Sequence, residues 1–126
     1  MDEEHWDFYF SRIDDEPGSI FVNMSLEERA PIAGQDHVVQ LRLAMKAPRP
    51  DGLSSADEFD TLVGIENVLE AEIASSGSMT YVGRVTHAGV RDLFCYARTI
   101  AVAEDALRRG MAAFPSYKFD LLSESD

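Results

Sequence analysis

Between His37 and Arg98 the apolar pattern runs from a strand's alternation to a helix's stripe, then back to alternation on both sides of a tight turn. Strands and helices need different periods, so this switch restricts the chain to a mixed α and β fold. In His37 to Lys46, Val39, Leu41, Leu43 and Met45 fall on one face, with Gln40, Arg42 and Lys46 on the other. Ala47-Pro48-Arg49-Pro50-Asp51-Gly52 ends that strand, because proline lacks the amide a ladder needs. Ser55-Ala56-Asp57-Glu58 has the form of a capping box, and Phe59, Leu62, Val63, Leu69 and Ile73 follow at helical spacing. Gly77 is the expected left-handed stop. Met79 to Thr86 and Val90 to Arg98 then read as a hairpin. A three-residue loop, His87-Ala88-Gly89, would set Thr86 opposite Val90 and Arg84 opposite Asp92, a favourable cross-strand charge pair.

The flanking segments complete the order. Trp6 to Ile13 alternates, with Trp6, Phe8 and Phe10 on one face. Asp14-Asp15-Glu16-Pro17-Gly18 reads as a turn, and Ser19 to Leu26 as the second strand of an N-terminal hairpin. Glu27 to Asp36 reads as a loop. Thr99 to Ala113 is a second helix with Ile100, Ala103, Ala106, Leu107 and Phe114 on one side. Tyr117 to Leu122 is a last strand, and Ser123 to Asp126 an acidic, frayed tail. The expected fold is therefore α+β, in the order β-β-β-α-β-β-α-β, with a mostly antiparallel sheet and two helices on one face. From His37 onward the order is β-α-β-β-α-β, that of a ferredoxin-like core. The N-terminal hairpin would extend that sheet or cover its open face; a simple meander of the first three strands is the alternative.

The 126 residues fit one domain, and a chain of this length buries about two thirds of its unfolded surface without a disulfide or metal. Cys95 is the single cysteine, which suits a reducing, cytoplasmic compartment. The acidic start carries no apolar signal segment. With 23 acids against 11 Lys and Arg, the net charge is −12. A field of that sign repels phosphate backbones and anionic membrane surfaces, so neither nucleic acid nor membrane is expected as a partner. A basic surface on another protein could bind; plain solubility is the other reading of the charge.

Chemistry-bearing residues are scattered. Glu66 interrupts the apolar stripe of the first helix, where a carboxylate is costly unless paired or neutralised. Glu66, Arg84, Arg91 and Tyr96 could converge on a pocket if the second hairpin packs beside that helix; otherwise Glu66 is a structural carboxylate held by Arg84, Arg91 or a tyrosine hydroxyl. His5, His37 and His87 stand apart from one another, so no metal site is expected. His87 with Arg84 and Arg91 could make a small anion site at the hairpin tip. Cys95 should face inward with Leu93 and Ala97 as a buried thiol. The acids Asp2 to Glu4 and Asp14 to Glu16 could hold a cation but lack an EF-hand spacing. No G-x-S-x-G elbow or phosphate-cradling loop occurs, so no catalytic residue, cofactor or nucleotide is assigned. The row Trp6, Phe8 and Phe10 could be core, or could form a homodimer or partner surface.

These segments resemble a bacterial family called domain of unknown function 695. The resemblance rests on Trp6-Asp7-Phe8-Tyr9-Phe10, Gly18-Ser19-Ile20-Phe21-Val22-Asn23, and Asp51-Gly52-Leu53 followed by Glu58, Leu62 and Ile65-Glu66. In the later half it rests on Tyr81-Val82-Gly83-Arg84-Val85-Thr86, Gly89, Arg91 and Phe94-Cys95-Tyr96. It implies a fold rather than an activity. Some relatives carry a further domain, not found in this sequence, similar to regulator of ribonuclease E activity B, which implies a regulatory binding role.

Overall fold

The computed structural model describes residues 6–13, 16–23 and 34–125, with side chains for 18–22 and 34–123. Its elements are β1 (Trp6–Ile13), β2 (Glu16–Asn23), β3 (His37–Ala44), α1 (Ala56–Ser76), β4 (Met79–His87), β5 (Val90–Ala97), α2 (Ile100–Met111) and β6 (Phe119–Ser125). The order matches the sequence expectation. The strands form one six-stranded sheet, β1-β2-β4-β5-β3-β6, in which every neighbouring pair is antiparallel. From β3 onward the spatial order β6-β3-β5-β4 is that of a ferredoxin-like core. The N-terminal hairpin extends it past β4 through β2, with β1 at the edge.

The core lies between the sheet and the two helices. Val39, Leu41 and Leu43 of β3 are fully buried, as alternation required, and Leu93, Cys95 and Ala97 of β5 share their face. Leu62, Ile65, Leu69 and Ile73 come down from α1, and Ala103, Ala106 and Leu107 from α2. The stripe of α1 is thus rotated from the expected one. Ile65 is buried, whereas Phe59 and Val63 are 49% and 37% exposed. Met79 and Tyr81 line the core under α1.

Element ends differ from the sequence expectation at polar residues that read as stops. Pro17 and Gly18 lie within β2, opposite Arg12 and Ser11, rather than in a turn. Ser123 and Ser125 continue β6 opposite Val39 and His37, so that stretch is ladder rather than frayed tail. Most of the expected 27–36 loop lies outside the described residues. The β4–β5 register is shifted by one residue. His87 faces Val90 and Arg84 faces Leu93, because the loop has two residues, Ala88 and Gly89. Both adopt positive φ, 52° and 81°, as a type I′ hairpin turn requires. Alanine rarely accepts that conformation, so the sequence pointed to the longer loop.

Candidate functional site

Glu66 is 7% exposed on the buried side of α1. Arg84 Nη1 donates to both its carboxylate oxygens, at 2.5 and 2.6 Å, and the Tyr81 hydroxyl donates to Oε2 at 2.9 Å. Arg91 Nη1 stands 3.9 Å from Oε1. Burial, followed by the neighbouring Arg84, holds the Arg91 guanidinium down to about 10, which leaves it charged at neutral pH. Arg91 also donates to the Thr86 hydroxyl at 3.1 Å. Burial pushes the Tyr81 phenol far above its ordinary range, and Glu66 adds to that. A buried carboxylate needs this many donors to offset lost hydration.

The sequence brought Glu66, Arg84 and Arg91 together correctly but chose the wrong tyrosine. Tyr96 pairs with Val38 and Thr80 in the ladder and lies on the sheet face away from the helices, with residues that alternate against Cys95 and Ala97. Tyr81 takes the place expected of Tyr96, and a bulge in β4 brings Arg84 onto the same face. Tyr81 faces Cys95 and Gly83 faces Phe94, so Val82 is the extra residue. A Cβ on Gly83 would lie 2.2 Å from the Phe21 carbonyl oxygen of β2. The glycine inside this strand was the available signal.

The cluster opens sideways. The Arg84 guanidinium stacks on the Phe21 ring at 4.6 Å, a cation–π arrangement. Phe21, Val63, Glu66, Asn67, Glu70 and Arg84 line a groove of about 370 Å³ between α1 and β2. Phe59 lies one turn before Val63 on α1, exposed just beyond the residues that line the groove.

A second carboxylate cluster escaped the sequence reading. Ser55 makes no side-chain cap hydrogen bond, so the expected capping box is absent. Glu58 is 6% exposed and accepts instead from the Lys46 and Ala47 amides at 2.8 and 2.9 Å, and from the Tyr117 hydroxyl at 2.6 Å. Burial opposes ionisation of Glu58, but the Tyr117 bond and the two amides outweigh it and hold the carboxyl below its ordinary value. Burial and the same hydrogen bond push the Tyr117 phenol up to about 12. The contact ties α1 to the end of β3 and the start of β6. A carboxylate three residues past a serine fits either role by sequence.

The remaining candidates fall elsewhere. Asp92 pairs with Arg42 at 3.0 Å on the sheet face away from the helices, in place of the expected Arg84. His87 alternates against Thr86, whose face carries Arg84 and Arg91, so the hairpin-tip anion site does not assemble. The Cys95 thiol is buried as expected, and burial pushes its pKa up to about 12. Trp6, Phe8 and Phe10 occupy the edge strand opposite Asn23, Phe21 and Ser19, and their side chains lie outside the described residues. So do the side chains of the N-terminal acid clusters. Among the described residues, no three His, Cys, Asp or Glu side chains are grouped to hold a metal ion, and no helix is long and apolar enough to cross a membrane.

Chemically, Glu58 and Glu66 each accept three hydrogen bonds, and Cys95 is a protonated, enclosed thiol at neutral pH. The groove beside Phe59 and Val63 is the open surface next to the cluster. No curated protein and no solved structure matches the chain. One family, described as "Family of unknown function (DUF695)", matches residues 4–126.

Proposed function

Because the chain belongs to the DUF695 family of unknown function, we propose a role from its geometry: a non-enzymatic, cytoplasmic binding or regulatory module that works through protein–protein contacts at α1. The observation that carries this is the exposure of Phe59 and Val63, one helical turn apart, beside a groove whose polar floor is already satisfied. Large apolar groups placed together at a surface are a common mark of an interface. A carboxylate with three close donor bonds stiffens such a surface rather than taking up protons from a substrate. The test is affinity capture from the source cells with wild-type protein and with Val63→Lys, whose fold is checked by circular dichroism. A protein retained by the first and lost by the second supports the reading. An identical retained set, or an empty one for both, opposes it.

A second reading is a small-ligand site or small enzyme in the same groove, with Glu66, Arg84 and Arg91 beneath it and Tyr96 excluded. It is favoured by the volume of about 370 Å³, within the usual range for ligand pockets. A metabolite panel that raises the melting temperature of wild type but not of Arg84→Met would favour it over the first reading. A homodimer through the same surface is a form of the first reading and is read by light scattering.

A further inference from the structure

We propose that the partner surface recognised at the α1 groove is an amphipathic helix with basic flanks. The inference rests on the protein-binding reading above and specifies its partner. Helix α1 has six carboxylates and no Lys or Arg among its 21 residues. Glu58 and Glu66 are used internally, and Glu72 pairs with Arg109 at 3.3 Å. Asp60, which follows Phe59 and lies three residues before Val63, is exposed and in no ion pair among the described residues.

The apolar anchors Phe59 and Val63 are therefore bordered by unneutralised negative charge, on a chain of net charge −12. A complementary partner presents aliphatic side chains to the anchors and Lys or Arg to Asp60. Helical form follows from the spacing. Val63, Glu66 and Glu70 line the groove and succeed one another by three and four residues, with Phe59 one turn earlier, so the groove wall runs parallel to α1. A helix laid along it offers side chains at the same intervals. A groove of about 370 Å³ admits a few side chains while the partner backbone stays outside. Attraction of this kind weakens with salt.

The probe is a fluorescein-labelled Leu/Lys peptide patterned as an amphipathic helix, followed by fluorescence polarisation. Controls are the same composition scrambled and a Leu/Glu peptide of the same pattern. The expected result is binding to the patterned Leu/Lys peptide at least about tenfold tighter than to either control, corresponding to about 1.4 kcal/mol. Phe59→Lys and Val63→Lys should each weaken it by about tenfold or more. Val102→Lys, at a position 44% exposed on α2, should leave it unchanged. Equal binding to the scrambled peptide, insensitivity to both α1 variants, or a self-dimer that Val63→Lys dissociates would overturn the inference. If the peptide fails while affinity capture still yields a protein lost with Val63→Lys, only the helix inference falls. If both fail, the protein-binding reading falls with it.

Discussion

Tyr81 and Arg84 are three residues apart on β4, yet both donate to the carboxylate of Glu66. In a regular strand, residues at odd separation face opposite sides of the sheet. The bulge at Val82 resets the alternation and turns Arg84 back toward α1. The polar floor of the groove therefore depends on a backbone irregularity, which in turn depends on Gly83 passing close to β2.

Replacement of Gly83 by alanine is expected to destabilise the fold by about 2 kcal/mol or more, because the new methyl meets the Phe21 carbonyl and cannot be accommodated by a side-chain shift. Urea unfolding of Gly83→Ala beside Gly64→Ala checks this. Gly64 has open space at its Cβ position and lies in a helix, so alanine there should stabilise slightly.

Glu66→Leu is expected to cost about 3–5 kcal/mol, because it leaves the buried Arg91 and the half-buried Arg84 without their counter-charge. Glu66→Gln keeps an acceptor for Tyr81 and should lose less. Chemical denaturation of both gives the comparison, and unchanged melting of both variants would remove the structural role assigned to Glu66.

Much of this cluster was legible in the sequence. Glu66 on an apolar stripe announced a paired carboxylate, and the arginines of the following hairpin were its natural partners. Tyr81 was not legible, because face assignment by alternation fails across a bulge. The Arg84–Asp92 pairing failed for a related reason. One residue of loop length moves every pairing, and Ala88 gave no sign of a positive φ. Glu58 was misassigned because a local cap and a long-range clamp share the same sequence pattern. The strand order from β3 onward followed from the ferredoxin-like element order, whereas the place of the N-terminal hairpin was beyond a period-based reading, which records faces and not neighbours.

The two arginines lead to a clear contrast in double-mutant cycles. Arg42 and Asp92 should couple by less than about 1 kcal/mol, since Arg42 is half exposed. Arg84 and Asp92, which share no ion pair, should be additive within about 0.5 kcal/mol.

Stability should fall at both pH extremes through the Glu58–Tyr117 contact. Glu58 titrates below its ordinary 4.5 in the folded state. Its contribution is whole above about 4.5 and is lost as pH falls through the folded value. Tyr117 is raised from 10.0 to about 12. Its contribution is whole below about 10 and is lost as pH rises through about 12. Urea midpoints across pH should show a flatter acid limb for Glu58→Gln. Tyr117→Phe should flatten the alkaline limb in part, since Tyr81 also contributes there.

Photo-crosslinking in the source cells gives the sharpest test of the proposed contact at Phe59 and Val63. A benzophenone amino acid is installed at position 59 in one strain and at position 102, on α2, in another. A covalent adduct to another protein is expected from position 59 and none from position 102. An adduct from position 102 with none from position 59 would contradict that contact.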